Sequence, residues 1–300
     1  MKIIECVPNF SEGKDKAKIE QIARIFAAHP DVHLADYSND PDHNRSVFTF
    51  LGPPAAVREA ALAAAGKALE LIDMREQEGA HPRLGAVDVV PFIPLTGAEM
   101  EDAVNTAHKF GWLFYERFHV PVYFYGAAAL KPNCIELPDV RRGGYEGLTE
   151  KTSCVDTSPD IGATKINKRA GATIVGARDI LVAYNINLAS NDLPLAQKIA
   201  AQIREKNGGL KSVRAIGVQL ASRNLAQVSI NLTDYRKTTL KDVYDKVKKL
   251  AAENGAAILE SELIGLAPEY TFAGVTPQYL KLKNFDENRL IETQIKKFTG

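Results

Sequence analysis

The chain has 300 residues, of which 45% are hydrophobic, and it carries 37 basic and 37 acidic side chains. This length predicts one large or two medium domains, because cores seldom grow beyond ~250–300 residues before a chain divides. A neutral charge balance creates no long-range field, which argues against nucleic acid and anionic membranes as partners.

Apolar residues at three-four spacing predict helices, and short apolar or alternating runs bounded by Gly, Pro, Asn or Asp predict strands. A first helix carries a buried stripe from Ile19 to Phe26, and a longer one begins near Met100. The strands of the first half are predicted at residues 2–7, 32–37, 46–51, 86–93 and 121–125. From residue 2 to 93 the order is therefore strand, helix, strand, strand, helix, strand.

The second half repeats this order. A helix is predicted after Asp192, with Pro194 in its first turn, and another begins at Leu240 behind a capping box. That box consists of Thr239 and Asp242. The strands are predicted at residues 173–188, 213–220, 226–233 and 257–264.

This order is the split βαβ pattern of ferredoxin-like units, and it occurs twice. The predicted fold class is α+β, with two ferredoxin-like α/β subdomains at residues 1–178 and 179–300. Each subdomain should hold an antiparallel-rich sheet with helices on one face. Residues 132–168 show weak periodicity and are predicted to run across the surface.

One face of the second sheet is predicted to carry side-chain amides. The third strand of a split βαβ sheet lies beside the first, so Asn185, Asn187 and Gln227 should share the face opposite the helices. An ordinary solvated face produces the same alternation, and the pattern alone slightly favours that interpretation. Amides are both donors and acceptors, however, and would also suit a polar ligand.

Several nucleotide and protease motifs are absent. The chain has no GxGxxG after a strand, no P-loop, no HExxH and no GxSxG, which argues against nicotinamide cofactors, P-loop nucleotides and a zincin site. The densest candidate for chemistry is residues 78–88, where His81 lies in a glycine-flanked loop between a helix and a strand. Histidine titrates near neutral pH, so His81 is either an acid–base group or a loop residue that bonds a carbonyl.

Other polar clusters have structural alternatives. Residues 39–45 contain Asp40, Asp42 and His43 but lack a metal-loop pattern, so a turn is predicted. Arg45 begins the next strand and can fork onto a carboxylate. Arg141 and Arg142 are predicted to be surface charges.

The cysteines favour a reducing compartment. Cys6, Cys134 and Cys154 are odd in number and lack Cys-x-x-Cys spacing, which argues against a disulfide scaffold or a zinc site. The amino terminus does not read as a signal peptide, and charges interrupt the alanine-rich stretch 55–72. A cytosolic protein is expected.

Several long motifs resemble the formiminotransferase domain of formiminotransferase-cyclodeaminases. They are ECVPNFSEG at 5–13, NRSVFTFLG at 44–52, LIDMREQEGAHPRLGAVDVVPFIPL at 71–95, VPVYFYG at 120–126 and RNLAQVSINL at 223–232. The similarity is collinear over most of the chain.

The resemblance implies two related subdomains with folate bound in a cleft between them, which would make the amide face a cleft wall. It implies transfer of a formimino group from N-formiminoglutamate to N5 of tetrahydrofolate, with tetrahydrofolate as cosubstrate, no metal, and a homodimer. His81 corresponds to the family's active-site histidine, and Pro159, Asp160 and Gly162 begin its folate-contacting segment. Because bifunctional relatives continue into a cyclodeaminase domain and this chain ends at Gly300, a separate cyclodeaminase is expected.

Each residue type has a chemical role in such a transfer. His81 can take the N5 proton and deliver one to the departing glutamate nitrogen. Asn185, Asn187 and Gln227 can hold the pterin edge or the amidine. Arg45, Arg83 and Lys168 can hold the glutamate carboxylates of either substrate. No motif separates this reaction from formyl transfer, from hydrolysis of an N-acylated glutamate, or from a catalytically silent folate-binding protein.

Overall fold

The computed structural model describes residues 1–79, 81–162, 166–283 and 285–300. The chain divides into two compact units, Met1–Arg178 and Asp179–Gly300. Both units combine helices with β-sheet, which confirms the α+β class. The described helices include none that is long and apolar enough to cross a membrane.

The first unit contains seven described strands and five described α-helices. The strands are β1 (Ile4–Cys6), β2 (Asn9–Phe10), β3 (His33–Asp40), β4 (Arg45–Gly52), β5 (Val87–Pro94), β6 (Val122–Gly126) and β7 (Thr173–Ala177). The helices are α1 (Lys16–Ala27), α2 (Pro54–Leu71), α3 (Met100–Phe118), α4 (Leu137–Val140) and α5 (Leu148–Ser153). Helix α1 begins behind Asp15, whose side chain accepts hydrogen bonds from the amides of Ala17 and Lys18.

The first sheet contains a ferredoxin-like core. Strands β1 and β2 together pair antiparallel with β4 on one side and β5 on the other, and β3 lies outside β4. The sheet then continues beyond this core, because β7 pairs parallel with β5 and β6 pairs parallel with β7. The predicted ferredoxin-like order is confirmed, and two parallel strands extend it.

One strand prediction was wrong, and one short strand was not predicted. The predicted strand 2–7 is confirmed as β1, and the short strand β2, which was not predicted, follows after Val7 and Pro8. The run 173–188 is two strands in different sheets: β7 belongs to the first sheet, and the next strand begins at Val182 in the second. At the end of β7 the backbone amide of Arg178 donates to the Phe92 carbonyl at 3.2 Å, which extends the pairing with β5 by one residue.

Both faces of the first sheet are covered, so the prediction of helices on one face was wrong for this unit. Helices α1, α2 and α3 pack on one face over a core that includes Ile22, Phe48 and Phe110. On the other face Val140 and Leu148, with their neighbours, cover a second core. Its members from the sheet are Val89, Tyr123, Tyr125 and Ile174. The segment 132–168 is therefore partly core rather than a surface excursion.

The second unit is a four-stranded antiparallel sheet with helices on one face. Its elements are β8 (Val182–Leu188), α6 (Leu193–Ile203), β9 (Val213–Leu220), β10 (Leu225–Leu232), α7 (Leu240–Glu253), β11 (Ile258–Ile264) and α8 (Ile291–Thr299). The order β11-β8-β10-β9 is that of a ferredoxin-like unit. Thr239 and Asp242 form the predicted capping box of α7. The predicted ligand cleft between the two subdomains stays a prediction.

Candidate active site

Three loops of the first unit meet at Asn44. Asn44 has φ +48°, a left-handed conformation that asparagine tolerates better than most residues. Its side-chain oxygen accepts from the Gly13 amide at 2.9 Å, and its nitrogen donates to the Glu78 carbonyl at 2.9 Å. One side chain thus ties the β3–β4 turn to the loop after β2 and to the loop that carries His81.

Close backbone packing explains two glycines in these loops. A Cβ on Gly79 would lie 2.4 Å from the His43 carbonyl oxygen, and one on Gly13 would lie 2.2 Å from the Asp40 carbonyl oxygen. Both separations are far below van der Waals contact, so any side chain would push the loops apart. Glycine here brings the His43 turn and the His81 loop together.

The loops surround a narrow, closely packed cavity. Ser11, His43, Asn44, Arg45, His81, Arg83 and Asp88 line this cavity. The structure therefore brings three of the predicted site residues, His81, Arg45 and Arg83, into one place in the first unit. Residue 80 of this loop lies outside the described residues.

Two contacts fix the tautomer of His81. Its Nδ1 lies 2.8 Å from the Pro82 carbonyl oxygen, which can only accept, so Nδ1 carries a proton. Its Nε2 lies 2.8 Å from Nη1 of Arg45, which can only donate, so Nε2 presents a lone pair. His81 is therefore a neutral imidazole whose basic nitrogen is held by a guanidinium.

The surroundings of His81 oppose protonation. Burial lowers the pKa of His81 well below its usual value, and the positive charges of Arg45 and Arg141 act in the same direction. The pKa of Arg45 is itself lowered to about 10, mainly by burial and then by Arg141. The cavity is rich in guanidinium groups and suits an anionic ligand.

Arg83 has both protein partners and an unused donor. Its Nη2 donates to the Gln77 carbonyl at 2.6 Å and to Oε1 of Glu146 at 2.9 Å. Its Nε is buried and meets no hydrogen-bond partner within the described part of the chain. Arg83 is therefore held in place with one N–H group still able to bind a carboxylate.

The amide face lies in the second unit, as predicted. Gln227 pairs with Asn187 across β10 and β8, while the alternate residues Val228 and Ile186 belong to the core under the helices. The face is not an ordinary solvated surface, since the exposed fractions of Asn185, Asn187 and Gln227 are 5%, 0% and 0%.

Two carboxylates complete this face, and their position was not predicted from the sequence. Oε1 of Glu262 accepts from Asn185 and from Gln227, at 3.1 Å each. Glu260 accepts from Asn187 at 3.1 Å and from Arg223 at 2.7 Å. The alternation of β11 shows that Glu260 and Glu262 share a face, but only the antiparallel pairing with β8 places them beside the amides.

The amide nitrogens are thus used within the network. Gln227 also donates to Oδ1 of Asn187 at 2.9 Å, while Oε1 of Gln227 is buried and has no partner in the described ranges. Acceptor oxygens remain, so the face suits a ligand that donates N–H groups. Within the described residues no cluster of three or more His, Cys, Asp or Glu side chains could hold a metal ion.

Comparison with known proteins bears on both units. A model of the formiminotransferase domain's N-terminal subdomain matches residues 3–178, and a model of the formiminotransferase domain matches residues 183–299. The chain belongs to the formiminotransferase family.

Similar members of the formiminotransferase family come from distant organisms. The chain is 41% identical to a glutamate formimidoyltransferase of Thermoplasma acidophilum, over 99% of this chain and 98% of that protein. It is 40% identical to a glutamate formimidoyltransferase of Streptococcus pyogenes, over 97% of each. It is 44% identical to the formimidoyltransferase-cyclodeaminase of Rattus norvegicus, over 89% of this chain and 50% of that protein.

The predicted folate segment of the formiminotransferase family begins beside β6. The Asp160 carboxylate accepts from the Phe124 amide at 2.7 Å and lies 3.3 Å from Nζ of Lys131, so it anchors the segment. Pro159 is buried, and Gly162 has φ +104° beside the ring of Tyr115. Residues 163–165 lie outside the described residues.

Lys168 follows this segment with an exposed side chain. Its carbonyl accepts a hydrogen bond from the Tyr145 hydroxyl. Lys168 does not line the His81 cavity, and its predicted contact with a substrate carboxylate stays a prediction.

Two residues of the His81 site have positions that the sequence did not predict. Arg141 was predicted to be a surface charge, but only 12% of its side chain is exposed and it pairs with Asp88. His43 lies in the predicted turn, but its burial (2% exposed) and the 5.7 Å between its ring centroid and that of His81 were not predicted. No local pattern marks either residue, because the contacts that bury them come from segments far apart in the chain.

Proposed function

We propose that this chain transfers the formimino group of N-formimino-L-glutamate to N5 of tetrahydrofolate, releasing glutamate. The observation that carries the proposal is the end-to-end similarity to two glutamate formimidoyltransferases. The His81 site supports it, because a neutral imidazole beside several guanidinium groups suits a base that acts on an anionic substrate.

His81 serves as the proton carrier. In its neutral form, Nε2 takes the proton that N5 loses as the new carbon–nitrogen bond forms. The resulting imidazolium then returns a proton to the glutamate nitrogen as the old bond breaks. Proton transfer of this kind contributes about 10²–10⁴-fold, and the rest of the rate comes from holding the two substrates together.

Arg45 couples substrate binding to this chemistry. In the structure its Nη1 occupies the lone pair of His81 that the reaction needs. A carboxylate is a stronger acceptor for guanidinium than a neutral imidazole is, because it carries a negative charge and can accept two parallel N–H bonds. A substrate carboxylate that draws Arg45 away would free Nε2, with Arg83 as the second cation for the glutamate moiety.

The amide face holds the donor edge of the pterin. The 2-amino-pyrimidinone ring presents adjacent N–H groups, which match Glu262 and the unpaired oxygen of Gln227. Asn185 and Asn187 orient these acceptors through their own hydrogen bonds. Residues Pro159, Asp160 and Gly162 shape the start of the folate-contacting segment, and Lys168 provides a further cation for the glutamate tail.

The proposal extends to the cosubstrate, the metal requirement, the cellular compartment and the protein partners. Tetrahydrofolate is the acceptor substrate, and none of the steps above calls on a metal. Two buried and one exposed free cysteine favour a reducing compartment such as the cytosol. The homodimer and the separate cyclodeaminase remain predictions.

Turnover of matched substrates tests the function. Purified protein is given N-formiminoglutamate or N-formylglutamate, each with and without tetrahydrofolate. We expect tetrahydrofolate-dependent release of glutamate from the formimino compound. Release without tetrahydrofolate would indicate a hydrolase, faster release from the formyl compound a formyltransferase, and folate binding without any release a non-catalytic folate-binding protein.

A further inference from the structure

The His81 cavity contains a second histidine that the reaction as described does not use. His43 is 2% exposed, and its Nε2 is buried without a hydrogen-bond partner in the described part of the chain. A buried polar atom left unpaired is unfavourable, because it has given up its hydrogen bonds to water. His43 lines the closely packed cavity, so a ligand that opens it by drawing Arg45 aside can supply the missing partner.

Asp40 biases which nitrogen of His43 carries the proton. Oδ1 of Asp40 accepts the backbone amides of Asp42 and His43, at 2.8 Å each, which orients the carboxylate. Its Oδ2 lies 3.8 Å from Nδ1 of His43, too far for a hydrogen bond but close enough for its charge to favour a proton there. Burial lowers the pKa of His43, so the ring is neutral and Nε2 is an acceptor.

The arginines of the cavity are donors, and the lone pair of His81 and the carboxylate of Asp88 already accept hydrogen bonds. Arg45 and Arg83 are donors, and the lone pair of His81 already accepts from Arg45. The Asp88 carboxylate is paired with Arg141 and accepts from the Leu84 amide. Nε2 of His43 is thus an acceptor that no described protein group uses.

A formimino group and a formyl group differ at one atom. The first places an N–H donor where the second places a carbonyl oxygen, so a fixed acceptor attracts the first and repels the second. We propose that Nε2 of His43 accepts a hydrogen bond from the terminal nitrogen of the formimino group and so selects formimino over formyl donors, with Asp40 as the positioning residue. This inference rests on the proposed function.

Three variants test the inference. His43→Phe keeps an aromatic ring but removes both nitrogens, and His43→Gln offers an amide oxygen near the position of Nε2. Asp40→Asn keeps Oδ1 for the two backbone amides but places an NH₂ group near Nδ1, which favours the tautomer that donates from Nε2. His119→Asn is the control, because His119 is exposed and has φ +54°, which asparagine tolerates.

The readout is the ratio of kcat/KM for formiminoglutamate to that for formylglutamate, with formylglutamate also measured as a competitive inhibitor. We expect His43→Phe to lower the formimino value by about 10-fold or more while formylglutamate changes less than about threefold. His43→Gln should recover part of the ratio, and Asp40→Asn should shift it further towards formyl. The control should match the wild type.

An unchanged ratio in folded His43→Phe would overturn the inference. If that variant fails to fold, unchanged ratios in both His43→Gln and Asp40→Asn would overturn it equally. Equal losses for both donors would make His43 a structural residue and would also reject the selection role. A wild-type protein that does not turn over formiminoglutamate would instead contradict the proposed function itself.

Discussion

His81 and Arg45 share a hydrogen bond whose direction decides the protonation state of the site. The Pro82 carbonyl holds the proton on Nδ1, and Arg45 donates to Nε2, so no further proton can be added without losing a bond. A histidine in this setting is a base at neutral pH. The same contact also occupies the base until a carboxylate competes for the guanidinium.

Replacing His81 separates proton transfer from substrate binding. His81→Asn keeps a hydrogen-bonding side chain but cannot carry a proton at neutral pH. We expect kcat to fall about 10²-fold or more, while the dissociation constants of both substrates change only a few-fold. Single-turnover kinetics with separate binding titrations checks this. Near wild-type kcat would remove His81 from the mechanism.

The pH profile reports the charges around His81. Protonation inactivates the base, and because the pKa of His81 is lowered well below 6.5, kcat/KM should stay level down to pH 6.5 and fall only below it. Arg45→Gln removes a positive charge that lowers this pKa, so the acid limb should move to higher pH. Arg142→Gln, an exposed surface change, is the control. An acid limb unmoved by Arg45→Gln would assign the titration to another group.

At the scale of single strands, one face of a strand packs into the apolar core, and the opposite face carries buried polar side chains. Strand β10 directs Val228 and Ile230 to the core and Gln227 into the amide–carboxylate network. Strand β1 directs Ile4 and Cys6 to the core under the helices and buries Glu5 as well.

Gln227→Ala should lower both the stability of the protein and its affinity for tetrahydrofolate. The side chain is fully buried and donates to Asn187 and Glu262, so its loss leaves both acceptors short of a partner. We expect a loss of about 1–3 kcal/mol in the free energy of unfolding and a weaker dissociation constant for tetrahydrofolate. Urea unfolding and a binding titration measure the two effects. Ser229→Ala, on the same face, is the control, and tetrahydrofolate affinity equal to wild type would count against the folate assignment.

Glu5 makes stability depend on pH. Burial raises the pKa of Glu5 to about 7, and Arg178 opposes the shift. A raised pKa in the folded state means that its contribution to stability is complete below the unfolded value and is lost as pH rises towards 7. Glu5→Gln stays neutral, so its stability relative to wild type should increase by about 2–3 kcal/mol between pH 4.5 and 8.

Urea unfolding of both proteins across this pH range tests the Glu5 prediction. Glu116→Gln, on the exposed side of α3, is the matched control and should show no such trend. A constant difference between Glu5→Gln and wild type would show that Glu5 does not titrate between its unfolded value and pH 7.

At the scale of the whole molecule, each unit has its own core. The second unit encloses Tyr184, Ile186 and Val228 beneath α6 and α7, and its sheet is complete in itself. We propose that residues 179–300 form an autonomous folding domain, and that residues 1–178 form the other. Autonomous folding is the property that distinguishes a domain from a mere cluster of contacts.

Expression of residues 179–300 alone tests this proposal. We expect a single cooperative urea transition and dispersed amide resonances. The matched control is residues 179–256, which lack β11 and leave β8 unpaired on one side, and which should not unfold cooperatively. A long fragment without a cooperative transition would show that the second unit depends on the first.

The sequence by itself determined what depends on near neighbours. The stripes of α1, α3 and α7, the capping box at Thr239 and the alternation of β10 were all predicted, because helix and strand periods are local properties. The doubled ferredoxin-like order followed from these elements in sequence. The presence of His81 in a loop ahead of a strand was evident for the same reason.

Tertiary structure decided what depends on distant segments. Parallel pairing with β5 and β6 assigns β7 to the first sheet. The local sequence of residues 173–188 does not indicate that β7 and β8 belong to different sheets. Arg141 can be buried because its guanidinium donates a hydrogen bond to the Asp88 carboxylate, 53 positions away in the chain. His43 joins His81 because Gly79 lets two backbones approach within a distance that no side chain allows. These placements arise from packing between distant segments, and the hydrophobic periodicity of a single helix or strand cannot predict them.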